Sequence, residues 1–393
     1  MIIKFRGKII QIFSIENDED IFIKCLTWYW TSSIANSVLK RILGSNDMTA
    51  LISAIVTMPV FFLFLMYSFC ILGKQKRLAK FLCPEMFLLC LFFFSYLRGT
   101  PYKPMILLII WLTLSLFLGT IMVSIVDYER LYLEFEKLIP IYVLFAISTL
   151  AIKQEPGEYM MHFSFLLALP MCQCIYSVIE ENRLLYLVPL FIFGGVVLLK
   201  GSRGVIGCVI AFIFLCIVLK CKKLFPKMII ILGTIGGCVS FELIVDKLYY
   251  FLEAHGISSR TIWLLKNDLM HDSGRGQLYL AAQELINQHP WWGWGVVGER
   301  VSMDVYPHNI VYEFMIDFGI PVGCVLLIFV CIILFCGFIR SDGRFAILYI
   351  IFVSSCVSLL WSGSYLSTPE FWISIYMTIH VCKNNLRVEK EEQ

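Results

Sequence analysis

Residues 184–219 read LLYLVPLFIFGGVVLLKGSRGVIGCVIAFIFLCIVL. Two apolar runs, Leu184 to Leu199 and Gly204 to Leu219, each approach the length that crosses a hydrocarbon core, and only Lys200, Gly201, Ser202 and Arg203 part them. Such a break is tolerated at membrane depth only where the backbone is buried in protein or lines a wet cavity. Gly194, Gly195 and Gly207 flank it. An arginine there is costly unless it meets a counter-charge, so Arg203 is a candidate functional residue; the competing account is a topological anchor that ends a span.

The rest of the chain has the same character. Of 393 residues 59% are hydrophobic and only 16% charged, and the mean hydropathy is +0.80. These values exclude a soluble globular protein and imply a polytopic, all-α integral membrane protein. Runs long enough to span, or nearly so, are expected at Ala50 to Leu72, Phe81 to Leu97, Pro104 to Ile125, Leu138 to Ile152, Tyr159 to Ile179, Leu184 to Leu199, Gly204 to Leu219, Met228 to Val245, Asp317 to Ile339, Phe345 to Trp361 and Thr368 to Cys382. A weaker amphipathic segment, Ile21 to Leu43, either spans or lies in the interface. The total is about 11 to 12 helices in one membrane domain covering 1–393.

The net charge of +3 is spread between apolar runs, so no nucleic-acid partner is expected. Most of the 15 cysteines lie within apolar runs, where Cys acts as a small hydrophobe, and no disulfide framework is implied. The N-terminus, MIIKFRGKIIQIFSIENDED, turns acidic after a short apolar stretch, so no cleavable signal peptide is expected. Lys74, Lys76, Arg77 and Lys80 share one loop, Lys220, Lys222, Lys223 and Lys227 another, Arg340 and Arg344 a third, and Lys383, Arg387 and Lys390 the tail. Counting spans puts all four on one side, which the positive-inside rule makes cytoplasmic, with 383–393 as a cytoplasmic tail. The Lys200 to Arg203 turn and a large loop, Asp246 to Asn309, then fall outside. Lys40 and Arg41 fall outside too, against the rule.

The large loop carries most of the chemistry. Leu278, Ala281, Ala282 and Leu285 recur at helical spacing, Gln277, Glu284 and Gln288 take the other face, and Pro290 stops the pattern. Asp272 or Ser273 can cap this short amphipathic helix, leaving Arg275 in its first turn beside free backbone N–H groups. Trp291, Trp292 and Trp294 then interleave with Gly293, Gly295 and Gly298, a pattern that suits stacking on sugar rings or an interfacial aromatic belt. His308 follows just ahead of the next apolar run; a neutral imidazole can take a proton from a hydroxyl, while a structural interfacial His is the bland alternative. His255, His271 and His289 share the loop without that position. Asp268, His271 and Asp272 could ligate a metal at helical spacing, but a solvated helix explains them equally, and no metal or cofactor is expected.

Taken together, GSRG at 201–204, Gly274 and Arg275, HPWWGWG at 289–295 and Pro307, His308 and Asn309 resemble the O-antigen ligase and polymerase superfamily over about Leu184 to Trp361. The resemblance implies a metal-independent glycosyltransferase using a polyprenyl-pyrophosphate-linked oligosaccharide at the outer face of the bacterial cytoplasmic membrane. It implies that Arg203 and Arg275 hold the pyrophosphate and that His308 is the base. Ser202, Tyr279, Asn309, Trp291, Trp292 and Trp294 would support them; Tyr279 departs from a Trp common in that family. The first expectation is a repeat-unit polymerase for O-antigen, capsule or exopolysaccharide, working with flippase and chain-length regulator proteins. A ligase acting on the same donor is the nearest alternative. A lipid-linked oligosaccharide flippase is the alternative of another class, although no repeat suggests two related halves.

Overall fold

The computed structural model describes residues 2–391 except 6–7, 12–14, 44–46, 75–77, 126, 153–159, 221–227, 229–231, 233–235, 237–239, 258, 268–274 and 304. Asp268, His271, Asp272, Ser273 and Gly274 therefore lie outside the described residues, as do Lys76, Arg77, Lys222, Lys223, Lys227 and half of the expected Met228 to Val245 span.

The regular structure of the described residues is helical except for a small antiparallel hairpin, Ile2–Phe5 with Lys8–Gln11, which the hydropathy reading did not foresee. Among the described residues five helices are long and apolar enough to cross a membrane: Leu51–Gly73, Tyr102–Met122, Met161–Ile179, Ile310–Arg340 and Gly343–Leu360. Leu82–Leu97, Leu184–Lys200 and Arg203–Cys216 are shorter apolar helices. The higher expected count also took in Ile139–Ala151, which is short, and Pro369–Glu391, which runs on through the charged tail.

Lipid tails are as apolar as leucine, so close packing and small polar contacts must hold such helices together. Gly119 admits Tyr376 so closely that a Cβ there would lie 2.8 Å from its ring. The Tyr349 hydroxyl meets Thr378 at 2.8 Å, and Thr31 meets Tyr142 at 3.1 Å. The first long helix, Ile15–Leu43, is not among the described helices apolar enough to cross by composition, yet it packs with them. It packs lengthwise against Asp47–Lys74, with Phe22 and Tyr29 stacked on Phe64 at 6.4 and 4.7 Å and Ser53 hydrogen-bonded to Asn36. It therefore lies in the bundle and not along its surface, and its 29 residues reach about 44 Å at the helical rise.

Charge sorts the two ends of the bundle. At one end Arg344 pairs with Glu181 at 2.5 Å and Glu129 at 3.4 Å, Arg130 with Asp20 at 2.6 Å, and Lys220 donates to the Ser341 carbonyl at 2.6 Å. The turn at Lys200–Arg203 sits at the other end. There it meets the segment after Ala254, since Ser259 Oγ donates to the Leu198 carbonyl and Thr261 Oγ1 to that of Gly201, both at 2.7 Å. The turn after Leu97 joins the same end, where Arg98 Nη1 donates to the Gly293 carbonyl at 3.0 Å.

Candidate functional site

Leu187–Lys200 ends and Arg203–Phe212 begins around a buried Gly201. Lys200 does not end its helix as a free charge: its Nζ donates to the carbonyls of Thr149 and Ile152 and so caps the Ile139–Ala151 helix. Ser202 caps the next helix by accepting from the Gly204 N–H at 3.2 Å, and its own N–H is taken by Ser164 Oγ at 3.2 Å. A Cβ at Gly204 or Gly207 would fall 2.7 Å from the Trp361 indole, so these glycines admit that ring. The break is thus buried in protein with its polar groups served, as its depth demands. Arg203, half-buried, is the first residue of the new helix. A cation is unfavourable at that end of the macrodipole unless it faces an anion.

A second break lies in Ile310–Arg340, where the span expected from Asp317 begins seven residues earlier and is interrupted at Gly319 (φ +79°, ψ 166°), just before Pro321. The carbonyls freed there are taken by the Trp-Gly loop. Trp294 N–H donates to Ile316 at 2.7 Å, Gly295 N–H to Asp317 at 2.9 Å, and Ile320 N–H returns to Pro290 at 2.8 Å. A Cβ on Gly293 would sit 2.5 Å from the Ile316 and Asp317 carbonyl oxygens, and one on Gly319 would sit 2.4 Å from that of Trp291. The interleaved glycines therefore permit backbone to enter a broken helix. The loop divides the tryptophans: Trp291 and Trp292 are 70% and 76% exposed. Trp294 instead turns inward, donating to the Leu285 carbonyl at 3.0 Å with its ring edge-on to His289.

The expected amphipathic helix is Arg275–Gln288, which buries Ala282, Leu285 and Ile286 against Met303 and Ile316. Tyr279 stacks on Tyr312 with ring centroids 5.0 Å apart. Asn309 caps the long helix by accepting from Val311 N–H at 2.9 Å, which gives it structural work. His308 precedes it in the left-handed region (φ +55°), half-buried, its ring 4.2 Å from that of Tyr306. Its Nδ1 is buried with no hydrogen-bond partner. Burial holds the imidazole below its ordinary pKa, and the charges of Arg275 and Arg300 push the same way. His308 is therefore neutral near pH 7 and able to accept a proton.

Sequence reasoning missed the groups behind it. Glu299, Glu313 and Asp317 are each 1% exposed. Ser364 Oγ and the Tyr365 N–H serve Glu313, while the Tyr365 hydroxyl, at 2.7 Å, and the Gly298 N–H, at 3.3 Å, serve Asp317. Glu299 Oε1 faces Arg300 Nε at 3.4 Å, and burial pushes this carboxyl up. Glu313 and Asp317, four apart inside an apolar run, were a readable signal, because ionisable groups at membrane depth are functional or paired. Among the described residues no cluster of His, Cys, Asp and Glu is arranged to hold a metal ion.

Arg300, Tyr306 and His308 form a run of ring contacts, and the Arg275 charge acts on both Tyr306 and His308. Arg203 stands one helix over, joined to them by the 361–365 segment. That segment fills the Gly204 groove with Trp361 and binds Glu313 and Asp317 through Ser364 and Tyr365. This arrangement offers guanidinium charge beside a neutral base at one end of a membrane bundle.

A family model described as O-antigen ligase matches residues 188–328, a stretch that holds Arg203, Arg275, His308 and the Gly319 break. No curated protein and no solved structure matches the chain.

Proposed function

We propose, from an O-antigen ligase family domain at residues 188–328, that this membrane protein is a metal-independent glycosyltransferase and, more narrowly, a repeat-unit polymerase. Its donor is an oligosaccharide linked to polyprenyl pyrophosphate, and its site opens at the outer face of the bacterial cytoplasmic membrane. One domain holds the bundle and the external Asp246 to Asn309 loop. The acceptor hydroxyl oxygen attacks the anomeric carbon; the new C–O bond forms as the bond to phosphate breaks. The hydroxyl proton passes to the His308 imidazole, and the pyrophosphate leaves with the bonding pair, its charge met by Arg275 and Arg203. A guanidinium fork suits phosphate oxygens, and a base with a depressed pKa stays available beside that positive charge.

The observation that carries this reading is the placing of His308, half-buried at the head of the Ile310–Arg340 helix, where burial and then the Arg275 and Arg300 charges hold its pKa down. Trp291 and Trp292, exposed beside the site, suit the bilayer interface at which a lipid-linked donor must sit. A ligase that moves a finished glycan to another acceptor is the second reading, favoured by the name of the matching family. Glycan analysis of a deletion strain decides between them. Single repeat units accumulating on the lipid carrier support the polymerase; full-length chains left on the carrier support the ligase. Units stranded on the cytoplasm-facing side would indicate a flippase and remove both.

A further inference from the structure

Arg300 has no place in the resemblance to known transferases, yet the fold builds it into the site. Val297 sits in the left-handed region (φ +67°), which a β-branched residue enters only under strain, and opens the turn Gly298–Val301. That turn is pinned at three points: Gly298 N–H to Asp317, Arg300 N–H to the Val297 carbonyl at 3.1 Å, and Met303 N–H to the Glu299 carbonyl at 2.8 Å. The Arg300 side chain is 14% exposed, with the buried Glu299 carboxyl 3.4 Å from its Nε. From this seat the guanidinium carbon stands 5.9 Å from the centre of the Tyr306 ring, which also lies 4.2 Å from the His308 imidazole. Glu299, Arg300, Tyr306 and His308 form one chain of contacts that ends on the base. Among the described residues His308 Nδ1 meets no hydrogen-bond partner, so ring packing against Tyr306 is the contact that orients this side of the imidazole.

We propose that Arg300, seated by Glu299, is a positioning residue that presses Tyr306 against His308 and so fixes the imidazole for proton transfer. The inference rests on His308 being the base. Among the described residues the charges that act on the imidazole are Arg275, from the start of its helix, and Arg300; Glu313 acts on the Tyr306 phenol behind it. Arg300 thus adds a second effect, because its charge opposes a second cation on the ring and keeps His308 in the accepting form.

The test uses membranes from the producing strain, loaded with their own lipid-linked glycan and assayed for transfer across pH, with binding of plain polyprenyl pyrophosphate measured on the purified full chain. Arg300→Gln should leave that binding within about twofold and lower turnover by roughly 10- to 100-fold. Removing a cation beside the imidazole raises its pKa, so the acid limb of the profile should move to higher pH. Arg300→Lys keeps the charge without the planar fork; its acid limb should stay at the wild-type position while turnover recovers only in part. If Arg300→Gln fails to insert, the Lys variant and Tyr306→Leu still decide, the latter losing turnover with binding intact. Binding lost in step with turnover at an unmoved limb would make Arg300 a phosphate clamp and overturn the positioning role. Full activity in His308→Ala would instead remove the base reading on which this role depends.

Discussion

Two interruptions among the described apolar helices, at Lys200–Arg203 and at Gly319, are closed by different means. At Lys200–Arg203 the freed groups are met largely by side chains and glycine: Ser202, Ser164 and Thr261 supply hydroxyls, and Gly204 and Gly207 admit the Trp361 ring. At Gly319 the freed carbonyls are met by the main chain of the Pro290–Gly298 loop. A break served by hydroxyls and a charge carries a signature that can be read. A break served by backbone leaves only glycines, whose meaning depends on a partner segment. The second break also holds the His308 end of the site, so the less legible of the two is the one on which catalysis is proposed to depend.

The most severe way to break this contrast is to close the second gap. Gly319→Val or Gly293→Val puts a side chain within 2.5 Å of a facing carbonyl oxygen and strains a positive φ. Each should cost about 3 kcal/mol or more and remove the folded protein, seen as loss of a monodisperse peak and thermal transition in detergent. Gly195→Ala, with nothing within 4 Å, should be near neutral. A normal melting curve for Gly319→Val would mean that the clasp does not hold the helix ends.

His308→Ala sharpens the contrast by separating chemistry from folding. Transfer should fall by about 100- to 10,000-fold while the thermal transition stays put, because the half-buried ring makes no hydrogen bond through Nδ1. Alanine at His255 or His289 should leave transfer near wild type; equal loss there would reassign the base. The arginines compare the two breaks directly. Arg203→Lys and Arg275→Lys should each lower transfer by roughly 10- to 100-fold with insertion intact, since Lys keeps charge but loses the fork. Wild-type transfer in both would return them to the role of anchors. The mildest change, Ser202→Ala, removes one cap and should cost about 1 kcal/mol of thermal stability with most transfer retained. A larger loss would show that the first break relies on a single hydroxyl.

Much of the site was legible one residue at a time. Arg203 after a glycine, Arg275 at the head of a 3.6-period pattern, and His308 at the mouth of an apolar run all stood where the helices place them. Arg300 and Glu299 in the loop left no signal, while Glu313 and Asp317, four apart in an apolar run, left one that marked them as paired or functional without naming their partners. Their partners Ser364, Tyr365 and Gly298 come from another loop and an earlier turn. The same limit divided the tryptophans: close neighbours in one short loop, two face outward and Trp294 turns in to the Leu285 carbonyl.

By itself the sequence determined the membrane character, most helix positions, the Gly201 break and the short helix from Arg275, because hydropathy, 3.6-residue periodicity and capping act over one or two turns. Tertiary structure alone decided that Ile15–Leu43 joins the bundle, that the Trp-Gly loop enters the Gly319 break, and that Arg300 stands behind Tyr306 and His308. Those outcomes rest on backbone N–H and carbonyl groups, which are the same in nearly every residue. They rest also on contacts between segments whose approach no local pattern encodes.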